Sequence, residues 1–369
     1  MSLAGLADQH FNARRLLTAT TGARLSRLWS RSVDPDDIFR SWRATIPEAV
    51  EVVAEGQERA ASDGQNYMDA ALMQAGMGPA GVAVNPVGFS GFTYPTRNAP
   101  PRPLEESLEF PAFTALDGRR RGASSSRSMA SGLDSLVTIG GSSVADAGRA
   151  ADGAIAAADQ RITGYVRQVE ANACSRCIIL AGRRYRSSEG FSRHPNCLCE
   201  HVPIISGQGS PPIQDSYELF NDLSEADQDR IFTKDGAQAI RDGADIYQVV
   251  NARRGMSTTA GGSLITESGA GHRRGRARGY AQRQMDRHGI SGPRMMPEEI
   301  YKRANGNQRL IREQLERYGY IVPDARRSGV EGDPDPQYRR DSDGGINPQL
   351  SGWYGAAASR PSYGMNDYL

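Results

Sequence analysis

Apolar residues recur at helical spacing through most of this chain, and that pattern predicts its elements. Leu3, Leu6, Ala7, Phe11, Leu16 and Leu17 make an apolar stripe over residues 3–30, with Arg14, Arg15, Arg24 and Arg27 around it. Asp34-Pro35 reads as the start of a second helix, with Asp36 and Asp37 favouring its N-terminal dipole. Ile38, Phe39 and Trp42 supply one face, and Pro47 is expected to kink or restart the helix. Val50, Val53, Ala54, Tyr67, Met68, Ala71 and Leu72 sustain the period to about Ala75. Residues 1–75 are therefore expected to form a small bundle of long helices. From Gly76 to Gly122 glycine and proline interrupt every period, so residues 76–128 are expected to be an extended linker or arm, with a short helix over 104–115.

The helical period returns at Met129 and runs through Leu133, Leu136, Val137, Val144, Ala147, Ala151, Ile155, Ala158, Ile162, Tyr165, Val166 and Val169. This reads as an Ala-rich helix that leads straight into Cys174. The following IILAGRRYR reads as strand, turn, strand, and HVPI as a short exit strand, so residues 129–204 are expected to hold long helices plus a small hairpin. Residues 205–215 read as a Gly/Pro linker. Ser224-x-x-Asp227 resembles a capping box, and Met296-Pro297-Glu298-Glu299 opens a late helix carrying Ile300, Leu310, Ile311, Leu315 and Tyr318. Residues 205–322 thus make a region of short helices, and 323–369 a tail of Gly, Pro, Asp, Arg and Ser with no core of its own. The expected fold class is mainly α: a long-helix bundle with a small metal-pinned β-hairpin and extended Gly/Pro-rich arms.

Composition qualifies this picture. The chain has 369 residues, enough for two or three compact units, but 38 % hydrophobic and 7 % aromatic content is lean for a large enzyme. A net charge of +1 argues for no partner by itself. Only Lys234 and Lys302 are lysines, so positive charge is nearly all arginine, suited to bidentate phosphate or carboxylate contacts. Arg273, Arg274, Arg276, Arg278, Arg283 and Arg287 crowd one window with Tyr280 and form the best candidate for a nucleic-acid contact; folding of that segment on an acidic protein is the alternative. No apolar run approaches the roughly 20 residues of a membrane span, and the first residues show no apolar signal-peptide core.

The chemistry concentrates in CSRCIILAGRRYRSSEGFSRHPNCLCEH, residues 174–201, which holds all 4 cysteines. Cys174-x-x-Cys177 can present two sulfurs from one turn, and a second knuckle adds His194, Cys197, Cys199 and His201. Four soft or borderline ligands from two knuckles make the tetrahedral shell of a structural zinc. Cys174 and Cys177 are the firm members; His194 and Cys199 are the preferred completion, with Cys197 the main rival and His201 behind it. Two disulfides, which require an oxidising compartment, or four unrelated buried thiols are the other uses of such a set. A catalytic zinc would need an open position and a base, and the only nearby acids, Glu189 and Glu200, form no hydrolase pattern.

GYVRxxE, then CSRCIILAGRRYR, then GFSRHPNCLCEHVP resemble the minor head proteins of tailed bacteriophages related to the phage Mu F protein, most of all those of actinobacteriophages. LSEADQDRIFTKDGAQAIRDGADIYQVVNARR and MPEEIYKRANGNQRLIREQLERYGYI resemble the later segments of the same proteins. The likeness runs from about Gly164 to Tyr320, is weaker over the N-terminal helices and is absent from the tail. Many relatives carry Arg at the position of Leu198, and this chain does not. The resemblance implies a non-enzymatic virion component that acts in head morphogenesis. It would sit inside the capsid at the portal vertex after assembly in the host cytoplasm, with portal protein, major capsid protein and packaged DNA as partners. A capsid maturation protease, a zinc-containing nuclease and a stand-alone nucleic-acid-binding zinc protein are the competing classes. The first two lack a visible G-x-S-x-G or second His/Asp cluster, and His272 and His288 stand in a basic segment suited to neither.

Overall fold

The computed structural model describes residues 2–95, 100–170, 173–189, 194, 197, 199–209, 211, 213–267 and 279–323. The chain is mainly helical with small antiparallel sheets, and it divides into two compact units. Among the described residues the first unit holds 2–168 and 183–213, and the second holds 169–182 and 214–323.

The first unit is built on three long helices that pack against one another: α1 (Leu3–Ser32), α2 (Ile38–Gln74) and α5 (Ser125–Ala158). Ser2 caps α1 by accepting from the Gly5 N–H, and Ser124 caps α5 by accepting from the Arg127 N–H. Pro47 lies inside α2, which continues across it as one helix. The core at one end of the bundle contains Leu25, Trp29, Trp42, Ile46 and Leu136, with the two indoles 5.0 Å apart. Leu16, counted in the expected apolar stripe, is one of the exposed residues of α1.

The expected extended arm is largely folded onto this bundle. It contains a two-strand pair, β1 (Phe92–Thr93) with β2 (Arg102–Pro103), followed by α3 (Leu104–Ser107) and α4 (Phe110–Arg120). Leu104, Leu108, Ala112 and Ala115 are fully buried. Gln57 of α2 reads the arm's backbone from both sides, donating to Phe92 O at 2.8 Å and accepting from Gly91 N at 3.0 Å, and Trp42 Nε1 donates to Leu108 O at 2.5 Å. Glycine and proline rule out long regular elements there, but they do not prevent a chain from docking where buried polar side chains satisfy its backbone groups.

The Ala-rich helix also ends earlier than its period suggests. Asp159 closes α5, and Ile162–Gln168 is a strand, β3, instead of the helix end that Ile162, Tyr165, Val166 and Val169 imply. It is the centre of a three-stranded sheet, between β4 (Arg184–Arg186) and β5 (Glu200–Ile205), antiparallel to both. Both faces of β3 are covered, so its apolar residues do not alternate and helical spacing fits them by coincidence. The segment expected as strand-turn-strand after Cys174 keeps only its second strand, β4; its first part is a helical turn.

That turn, α6 (Ser175–Ile178), belongs to the second unit. The unit continues through α7 (Ser216–Asn221), α8 (Glu225–Phe232), α9 (Lys234–Arg241), α10 (Ile246–Ala252), α11 (Tyr280–Arg287), α12 (Pro297–Ala304) and α13 (Gln308–Arg317). A second three-stranded sheet orders β6 (Met256–Thr258), β7 (Leu264–Thr266) and β8 (Arg294–Met295). Ser224 caps α8 as its spacing suggests, accepting from the Asp227 N–H at 3.2 Å, and α12 opens at Pro297 as expected. Ile178, Phe220, Phe232, Ile246, Val249, Ile300, Ile311, Leu315 and Tyr320 belong to one core. Buried Arg294 lies 3.7 Å over the Tyr320 ring and donates to Tyr318 O and Gly319 O, closing the last turn after α13.

Candidate metal centre and a buried ion cluster

The two cysteine knuckles are made by different local physics. In the second unit Cys174 is the N-cap of α6, and its carbonyl accepts from the N–H groups of Cys177 at 2.9 Å and Ile178 at 3.0 Å. This is the tight turn that Cys-x-x-Cys spacing calls for. Ile178 is fully buried in that unit's core, and Ser216 Oγ donates to its carbonyl at 2.9 Å. Cys174 is exposed and Cys177 buried.

In the first unit the second knuckle is held by arginines. Cys197 N donates to His194 O at 3.2 Å. Arg149 of α5, 1 % exposed, donates from Nε to Cys199 O at 2.6 Å and from Nη2 to Cys197 O, with Nη1 on Asp146 at 2.7 Å. Arg167 of β3 directs Nη2 at the Cys199 sulfur at 3.2 Å and lies 3.9 Å from that of Cys197. Both of these cysteines are buried, whereas His194 is exposed. None of the four cysteines is in a disulfide. Cys197 and Cys199 here, like Cys174 and Cys177 of the second unit, are soft donors of the kind that could hold a metal ion. The thiolate is the form of cysteine that such an ion binds.

The bundle carries a second cluster that sequence reasoning did not find. His10 and Arg14 of α1, Asp63 and Tyr67 of α2, Asp152 of α5, and Glu200 and His201 of β5 meet in the interior. Arg14 Nη1 donates to Glu200 Oε2 at 2.6 Å and to Asp152 Oδ2 at 3.2 Å, and its Nη2 lies 2.8 Å from His10 Nε2. His10 stacks on Tyr67 at 4.1 Å, and Tyr67 Oη donates to the His201 carbonyl at 3.1 Å. Two glycines make the room. A Cβ at Gly148 would lie 2.5 Å from the Arg14 guanidinium carbon, and one at Gly64 would lie 2.5 Å from Asp152 Oδ1.

Burial opposes ionisation throughout this cluster, and the partners decide the outcome. Burial raises the Asp152 pKa, but Arg14 and His10 outweigh it and hold the carboxyl well below its ordinary range. Burial raises Glu200, and Arg14 and Arg149 only partly oppose it. For His10, burial and the Arg14 charge lower the pKa while Asp152 and Asp63 raise it, to about 9. Its Nε2 lies 2.8 Å from Arg14 Nη2 and its Nδ1 lies 2.8 Å from Asp63 Oδ2. His10, Asp152 and Glu200 form a set that could in principle take a cation. Arg14 already occupies that role, touching one atom of each, so this cluster is an internal ion network.

The remaining sequence candidates separate. Arg283 and Arg287 lie on the exposed face of α11, opposite buried Ala281 and Met285. Arg273, Arg274, Arg276 and Arg278, His272 and the tail from 324 onward lie outside the described residues. No described helix is long and apolar enough to cross a membrane.

No protein-family model matches the chain, and comparison with curated proteins and with solved structures gives no match.

Proposed function

We propose that this chain is a structural minor head protein of a tailed phage, of the Mu F-related actinobacteriophage type. Its place would be inside the capsid at the portal vertex, where it links portal protein and major capsid protein and meets packaged DNA through the Arg-rich segment 273–287. The observation that carries the reading is the sequence motif from Gly164 to Tyr320, in which Cys174-x-x-Cys177 and His194-Pro-x-Cys197-x-Cys199 stand on either side of a short strand. The folded arm at 86–120 supports an architectural role, because it is chain built onto the bundle through backbone contacts and small buried side chains. We read the metal as zinc held by cysteine thiolates, with Cys197 and Cys199 linked by the buried guanidinium they share, and His194, exposed as Cys174 is, kept as the other candidate ligand. Bound zinc supplies folding free energy to knuckles too small to build a core, about 10–16 kcal/mol in zinc-finger peptides. Mass spectrometry of purified particles tests the reading: low-copy presence with portal protein supports it, and absence from particles that contain portal refutes it.

A further inference from the structure

Arg167 meets cysteine sulfur directly. It is 2 % exposed, on the central strand β3, at the register position opposite His201. A guanidinium carried into the interior is costly unless anionic groups receive it. Its Nη2 donates to Cys199 Sγ at 3.2 Å, within hydrogen-bond range for sulfur, and sits 3.9 Å from Cys197 Sγ. Neutral thiols are weak acceptors for such a donor. Thiolates bound to a divalent ion are strong acceptors, and several of them around one such ion carry net negative charge. Arg149 plays a different part at the same knuckle, since it holds the carbonyls of Cys197 and Cys199 and an aspartate but no sulfur.

From this we propose that Arg167 is a positioning residue of the metal centre, which hydrogen-bonds the metal-bound sulfurs of Cys199 and Cys197 and balances their charge; this rests on the reading of the cysteines as metal ligands. The N–H···S bond withdraws density from sulfur, so it stabilises the thiolates and raises the energy of sulfur-to-metal charge transfer. Outer partners of this kind are worth about 10–100-fold in metal affinity.

The test uses the full chain loaded with Zn²⁺ or Co²⁺, with Arg167→Met and Arg167→Lys. Zinc affinity is read by competition with a chromophoric chelator, charge transfer from the Co²⁺ absorption spectrum, and fold from circular dichroism. Arg167→Met is expected to stay helical, lose about 10–100-fold in zinc affinity and move the charge-transfer band to longer wavelength. Arg167→Lys should fall between it and the native protein. A native protein that binds neither ion sinks the metal reading itself. A native protein that binds both ions, with Arg167→Met unchanged, leaves that reading intact and overturns the role of Arg167. Lost affinity without a band shift, or loss of fold in both variants, assigns Arg167 to the fold and overturns the proposal as well.

Discussion

Replacing Arg14 with methionine tests whether the bundle depends on its internal ion network. Methionine keeps most of the volume and removes the charge. Asp152 and Glu200 would then face each other's field with only His10 and Arg149 nearby, and Glu200 would lose its 2.6 Å donor. Breaking a buried ion network by deleting one member costs about 3–5 kcal/mol, because it strands the partners. At about 2–4 °C per kcal/mol for a unit of this size, the melting temperature should fall by about 6–20 °C. Tryptophan fluorescence is the fitting probe: Trp29 and Trp42 are buried in the first unit, and the third tryptophan, Trp353, lies in the tail. The pH dependence should weaken as well. In the native protein the depressed Asp152 pKa gives stability that is full above its ordinary 3.8 and is lost as pH falls through the lower folded value. Without Arg14 the Asp152 pKa should rise toward its ordinary value, held down only by His10 and His201, so the variant should lose less stability than the native protein as pH falls below 3.8. A loss below about 1 kcal/mol, the scale of surface pairs, with an unchanged pH profile would refute the reasoning.

Other outcomes follow from separate parts of the structure. Gly64→Ala puts a methyl 2.5 Å from Asp152 Oδ1 and should cost about 1–3 kcal/mol in the same melt, whereas Gly141→Ala, with nothing within 4 Å, should be neutral or stabilising. Arg161 holds Asp159 at about 2 and donates to the Gly78 and Pro79 carbonyls, so the Asp159 contribution should be full above pH 3.8 and vanish toward 2. Asp159→Asn should remove that acid limb from a pH titration of stability and leave the rest. Cys177→Ser and Cys199→Ser should each lower zinc content, measured by elemental analysis of the purified chain, with Cys197→Ser doing the same if the set is all cysteine and His194→Ala sparing it.

The long helices were legible because their signals are local: capping serines and a stripe of three- and four-residue spacing need no tertiary knowledge. The knuckles were legible for the same reason, since sulfur spacing is written along the chain. What escaped depended on partners far apart in sequence. The arm looked unstructured because its order comes from Gln57 and Trp42 on another helix. Strand β3 looked helical because both its faces are covered, which erases the alternation that marks a strand. The ion network left only faint marks: His10 and Arg14 one helical turn apart, an Asp152 among alanines, and Gly64 and Gly148 with no turn to explain them.

These features converge on one strand and the loop before it. Arg14 comes from α1, Arg149 from α5 and Arg167 from β3, and they bind Glu200, the backbone of Cys197 and Cys199, and the Cys199 sulfur respectively. Three buried guanidiniums on so short a stretch need buried negative charge and oriented carbonyls, and Asp146, Asp152, Glu200 and the knuckle carbonyls provide them for Arg14 and Arg149. On the proposed metal reading, metal-bound thiolates of Cys197 and Cys199 would do so for Arg167. The knuckle is therefore a keyed part of the bundle interior, and metal occupancy and bundle stability should be linked through Arg167 and Arg149. Zinc that raises the melting temperature reported by Trp29 and Trp42, which lie at the tryptophan end of the bundle, would demonstrate that linkage; a melt unmoved by zinc would show that the two are independent.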